Sequence, residues 1–185
     1  MRRHSKTRTL TPLGMLMVGS LLVGITLAVT IQLAHGKAFS TSQDFVQKAV
    51  ADDNFEVQSA QIALNRSHSK AIRSFAQRVM DDHAKADSQL KSILASTTVQ
   101  PSAVQSGLDE GGQAMLIRLK TVPDYAFDDE YIRTQEAMHA EAYTLYRDYS
   151  KIGNDPQLKS FASDTLPTIA SHQDTVRDLA DSNDY

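Results

Sequence analysis

From Ser42 onward, apolar residues recur at spacings of three and four, and glycine and proline vanish from residues 42–65, 69–96 and 124–152. That spacing lays one apolar stripe along each of several helices, and such stripes leave water only by packing helix on helix. The predicted fold class is all-α. The first helix covers residues 42–65, with Thr41 and Asp44 as a capping box in which Asp replaces the usual Glu. The second covers residues 69–96, capped by Ser67 or Ser69. The third begins near Asp124 and stops before Gly153. The fourth opens at Asn154, Asp155 and Pro156, a cap followed by proline in the first turn. Pro167 inside it removes one backbone donor and predicts a kink about one turn before His172.

Short turns join helices one to two and three to four, so each pair reads as an antiparallel hairpin. Residues 97–123 form a long crossover with Pro101, Gly107, Gly111, Gly112 and Pro123, and a short helix over residues 113–120. Two hairpins joined by a long crossover predict a four-helix bundle. The hairpins also resemble each other: Ile72-Arg73-Ser74-Phe75-Ala76 matches Leu158-Lys159-Ser160-Phe161-Ala162, and a histidine follows each.

The N-terminus is of another kind. Arg2, Arg3, Lys6 and Arg8 precede an uncharged stretch whose residues 13–34 are largely apolar. A basic flank before an apolar run is an export signal or an N-terminal membrane anchor. Ala34-His35-Gly36 and Gly36-Lys37-Ala38 offer small residues for cleavage, while the length of the run also suits an uncleaved span. The expected division is a leader over residues 1–38 and a helical domain over residues 39–185. Either reading exports that domain, soluble in the periplasm after cleavage or tethered to the inner membrane through residues 10–34.

With the four leader cations set aside, 15 basic residues face 22 acidic ones, a net charge of −7. An acidic body lacks the electrostatic footprint for nucleic acid, so no nucleic-acid partner is expected. Contact with a membrane is expected only through the leader. The absence of cysteine excludes disulfides, thiolate metal sites and a cysteine nucleophile. No Gly-rich phosphate loop or serine nucleophile motif is present.

The inner stripes carry unexpected polar groups. His83, His139 and His172 fall in phase with the apolar stripes of helices two, three and four, and Glu56 does so on helix one. Each helix thus offers one ligand-capable side chain near its middle. A carboxylate and three imidazoles are expensive to bury unpaired, and a transition-metal ion (Fe, Zn, Mn or Cu) would satisfy them. Asp82 beside His83 and Glu136 three residues before His139 are candidates for further ligands or for partners that orient a ligand. Asp52 or Asp53 falls on the inner stripe of helix one between Ala49 and Glu56, yet the pair reads as part of a solvated face, and Met80, Met138 and the tyrosines read as core filler.

The order of these residues resembles a known family. Phe45, Glu56, Phe75-Ala76 and Asp82-His83 are followed by Ala126-Phe127-Asp128, Tyr131, His139, Leu158, Phe161-Ala162, Thr165-Leu166-Pro167 and His172. Together they are similar to a family of exported bacterial proteins catalogued as a domain of unknown function (DUF4142) and often labelled "predicted outer membrane protein". The resemblance covers about residues 43–180. It implies a ferritin-like four-helix bundle in the cell envelope and no established activity. True di-iron ferritins need two Glu-x-x-His motifs, and only Glu136 with His139 fits; Met80 and Ile169 stand where the others would need glutamate.

Two functions follow. One is a metal-binding bundle using Glu56, His83, His139 and His172, with a role in metal or oxidative-stress handling. The other is a structural or interaction module whose histidines are hydrogen-bonded in the core. An enzyme is a third and weaker reading: three histidines and one carboxylate leave an open metal position for water activation or oxygen chemistry, but no motif identifies a substrate pocket or an acid–base partner.

Overall fold

The computed structural model describes residues 41–182, and the leader reading lies outside them. Five α-helices account for most of these residues: α1 Ser42–Arg66, α2 Lys70–Ile93, α3 Glu110–Thr121, α4 Phe127–Ile152 and α5 Pro156–Ser182. The described residues contain no strand and are all-helical. No described helix is long and apolar enough to cross a membrane.

Local chemistry fixes the boundaries. The Asp44 N–H donates to the Thr41 hydroxyl at 3.1 Å, and the Thr41 N–H donates back to the Asp44 carboxylate at 3.3 Å, so the capping box forms with Asp in place of Glu. Ser69 caps α2 by accepting from the Ile72 N–H at 3.2 Å. Ser67 instead accepts from the Ser69 N–H at 3.1 Å and shapes the turn. The α-helical part of α2 ends at Ile93, and a 3-10 turn, Leu94–Ser96, completes the predicted span. Asp155 caps α5, accepting from the Gln157 and Leu158 amides at 3.0 and 3.2 Å. Its other oxygen accepts from the Thr98 amide at 2.8 Å and ties the crossover to the start of α5.

Gly153 stops α4 for reasons of space. Its φ is −57°, which any residue adopts, but a Cβ there would lie 2.6 Å from the Tyr149 ring. That ring is committed elsewhere. It stacks on Phe45 at a centroid distance of 4.0 Å, and its hydroxyl lies 2.8 Å from that of Ser42. Pro167 lies inside α5, which continues through it.

The helix ring closes pairwise. α1 packs on α2 and α4, and α5 packs on α2 and α4. The Arg73 guanidinium donates to the Leu64 carbonyl while His83 faces Asp53, so α1 and α2 run antiparallel. The short helix α3, one turn longer than predicted, lies across α1 and α4. Arg66 holds it there by donating to the Leu119 and Val122 carbonyls at 2.6 and 2.7 Å, with its guanidinium 4.7 Å over the Phe127 ring. Gln47 pairs with both backbone groups of Gln105 at 2.8 and 3.0 Å, which seats the crossover against α1.

The core is divided into two apolar clusters. One holds Phe45, Ala49, Leu90, Tyr146, Leu158 and Ile169; the other holds Ala63, Ile72, Phe75, Leu119, Tyr131 and Val176. Every long helix contributes to both, so the clusters occupy opposite ends of the ring. Phe75 and Phe161, matched in sequence, fall into opposite clusters, which makes α2 and α5 antiparallel.

Candidate metal centre

Between the two clusters each long helix presents polar side chains where apolar ones would be expected. The layer consists of Asp52, Asp53 and Glu56 from α1, His83 from α2, Gln135 and His139 from α4, and His172 from α5, all buried. Burying so many titratable groups at mid-core opposes folding unless they satisfy one another or a ligand.

The three histidines converge. Their ring centroids are 5.2 Å apart for His139 and His172, 5.7 Å for His83 and His172, and 5.8 Å for His83 and His139. One nitrogen of each lies within 4.8 Å of one nitrogen of the others. Each ring engages one nitrogen and leaves the other bare. The Nδ1–H of His83 faces Asp53 Oδ1 at 2.8 Å. The Nδ1–H of His139 donates to the Gln135 carbonyl at 3.0 Å, and the Nε2–H of His172 donates to Asp82 Oδ2 at 2.9 Å. His83 Nε2, His139 Nε2 and His172 Nδ1 are buried with no hydrogen-bond partner. Phe75 bounds the cluster, with its ring 6.0 Å from His139 and 6.2 Å from His172.

Glu56 is buried beside the histidines but is not one of the three converging groups. Its Oε2 accepts from the Gln135 amide at 2.7 Å and lies 3.4 Å from the Ser59 hydroxyl, while Oε1 has no hydrogen-bond partner and sits 3.8 Å from His139 Nδ1. Asp82 is partly exposed and orients His172. Glu136 is half-buried and outside the converging groups.

The solvated reading of Asp52 and Asp53 is overturned. Asp53 is 1% exposed and Asp52 8%. Both approach His83 Nδ1, with Asp52 Oδ2 at 3.9 Å. The signal was present in the sequence, since Asp53 continues the Ala49, Glu56, Ala60 phase. Gln135 was in phase too, yet its grip on Glu56 depends on the α1–α4 packing.

Burial sets the protonation pattern. Burial alone would lower His83, but the Asp53 hydrogen bond and the Asp52 and Glu56 charges outweigh it and hold the imidazole at about 9. Burial and the neighbouring His83 push His139 down to about 3. Burial, His139 and His83 push His172 down to about 4. Burial raises Asp52, Asp53 and Glu56 above the ordinary carboxylate range. At neutral pH two of the three imidazoles therefore offer a free lone pair, and the third carries a proton held by carboxylates.

Two cavities open near this layer, one bordered by Asp82, the partner of His172, and the other by Asp52. A groove of about 520 Å³ between α2 and α5 is lined by Asp82, Gln89, Ser160 and Asp164. A second, of about 620 Å³, lies among α1, α3 and α4, with Asp52, Phe55, Met115, Met138 and Glu141 on its walls.

Solved structures share this fold. CopM in the Cu(II)-bound form is 18% identical with a TM-score of 0.63, over 75% of this chain and 95% of that one. CopM in the Cu(I)-bound form is 16% identical with a TM-score of 0.61, over 75% and 94%. A DUF305 fragment from Deinococcus radiodurans is 17% identical with a TM-score of 0.64, over 76% and 96%. At these identities the likeness concerns the fold alone. The search of curated proteins finds no match. The sequence itself matches the model of a domain of unknown function, DUF4142, over residues 28–179, and the chain belongs to that family.

Proposed function

We propose that this protein is an exported metal-binding module in which the four long helices form a ferritin-like bundle around one transition-metal ion. The ion is held by His83 Nε2, His139 Nε2 and His172 Nδ1, with Glu56, buried beside them, as the candidate for a fourth position. One observation carries the reading: three buried histidines from three different helices place ligand nitrogens within 4.8 Å of one another, and each ring has one nitrogen with no partner. Their other nitrogens donate to a carboxylate or a carbonyl, the arrangement that fixes tautomer and aim in metal-ligating histidines. Small ring rotations bring such a spacing to metal–nitrogen bonds of about 2.0–2.1 Å.

Copper is the favoured ion. Imidazole suits copper and zinc better than manganese, and the likeness to CopM, solved with Cu(I) and Cu(II), supports the same choice. The role is metal or oxidative-stress handling in the periplasm, with residues 1–38 as signal or tether. The alternative of histidines merely hydrogen-bonded in the core leaves three ring nitrogens and Glu56 Oε1 unsatisfied, at about 1–3 kcal/mol each.

The test is metal analysis of the purified full chain, with thermal melts in chelator, zinc and copper. A site-bound ion at a hundred times its Kd adds about 2.7 kcal/mol to the folded state. Protein that retains no ion, binds none at micromolar levels and melts identically in all three conditions would refute the reading.

A further inference from the structure

His83 has a second coordinating face that the three-histidine centre does not use. Its Nδ1 lies 2.8 Å from Asp53 Oδ1 and 3.9 Å from Asp52 Oδ2, and the three side chains place ligand atoms within 4.8 Å of one another. Asp52 Oδ2, the oxygen turned toward His83, is buried without a hydrogen-bond partner, and so is Asp53 Oδ2. Both residues are more than nine-tenths buried.

Charge points the same way. Asp52, Asp53 and Glu56 bring three carboxyl groups into one layer, and among the described ion pairs they face only histidines. Burial with so little positive charge nearby disfavours the ionised form of these groups, and a divalent cation seated among them would supply that charge.

We propose that Asp52, Asp53 and His83 Nδ1 form a second divalent-cation site, distinct from the three-histidine centre and joined to it through the His83 ring. Two carboxylates and one imidazole suit zinc or copper, and the ring, deprotonated at both nitrogens, bridges the two ions. The two ring protons leave to solvent as the ions bind. Asp52 lies on the wall of the cavity among α1, α3 and α4, so a cation reaches this site without passing the histidine cluster. The bridge rests on the three-histidine reading; the carboxylate site itself does not.

Equilibrium dialysis of the full chain against zinc, followed by elemental analysis, tests the assignment. The expected result is two ions per chain for the wild type and one each for D52N/D53N and for H139Q/H172Q. One ion in the wild type, retained in D52N/D53N and lost in H139Q/H172Q, would overturn this proposal and leave the three-histidine centre standing. One ion with the opposite pattern would keep the carboxylate site and remove the three-histidine centre. No bound ion in the wild type would remove both. D52N alone serves if the double variant does not fold, with the same expected loss of one ion. Copper(II) titration followed by electron paramagnetic resonance reads the bridge independently. The signal should rise over the first equivalent and diminish over the second as the paired spins couple through the imidazolate. A signal that grows linearly through two equivalents would rule the bridge out.

Discussion

Asp82 and His172 meet at 2.9 Å across the α2–α5 interface, a carboxylate open to the groove joined to an imidazole that is 1% exposed. The bond fixes the proton on His172 Nε2 and leaves Nδ1 buried without a partner. Such a partner tunes a ligand without touching the ion. Asp82→Ala should weaken copper or zinc binding about 10–100-fold. Asp82→Asn, which can still accept the Nε2–H, should recover most of that loss. Because Asp82 is partly exposed, melting of the metal-free protein should move little in either variant. Competition titration with a chromophoric chelator measures the affinities, and equal affinity in all three proteins would refute the orienting role.

His139→Ala removes a ring whose Nδ1–H donates to the Gln135 carbonyl and whose Nε2 is bare. The part of the metal-dependent rise in melting temperature that the three-histidine centre supplies should disappear in this variant. The metal-free form should lose about 1–3 kcal/mol, the range for truncating a buried hydrogen-bonded group. Chemical denaturation with and without zinc separates the two effects. A variant that keeps the full metal-dependent rise would exclude His139 as a ligand.

Metal binding should depend on pH through His83. Its folded-state value of about 9 means that the metal-free protein carries a proton there at neutral pH, while His139 and His172, at about 3 and 4, carry none. The first ion must displace that one proton. Affinity for the three-histidine centre should therefore rise about tenfold per pH unit between pH 6 and 8 and level off above 9. Calorimetric titration of the wild type in buffers of different ionisation enthalpy counts the released protons. Zero protons released by the first ion at pH 7 would contradict the assignment.

The same group sets the alkaline limit of the metal-free fold. A raised folded-state value means that the folded state holds a proton that the unfolded chain releases near 6.5. The stability this confers is complete below 6.5 and is lost as pH rises through about 9. Burial of Asp52, Asp53 and Glu56 acts with the same sign above the ordinary carboxylate range. Metal-free protein should thus be less stable at pH 9 than at 6.5, by an amount on the order of 1–3 kcal/mol. Urea melts in chelator at the two pH values check this.

Gly153→Ala tests the packing at the far end of the ring. The added Cβ would lie 2.6 Å from Tyr149, whose ring is pinned by Phe45 and by Ser42. Overpacking of this kind typically costs about 1–3 kcal/mol. The loss should appear equally with and without metal, because the clash lies in the apolar cluster and not in the polar layer.

What the sequence determined by itself is the set of helices and the polar groups on their inner faces. Spacing of three and four is a local property, so the stripes through His83, His139 and His172, the Thr41 and Ser69 caps and the stop at Gly153 could all be read along the chain. Tertiary structure decided which of those groups meet. Asp53 and Asp52 read as solvated because two adjacent carboxylates look like surface, and only the α1–α2 register places them against His83. Glu56, in phase like the histidines, is instead held by Gln135 from α4. Helical periodicity fixes the direction in which a side chain points around its own axis; the height and rotation of one helix against another follow from the whole core, and those decide what a buried carboxylate or imidazole touches.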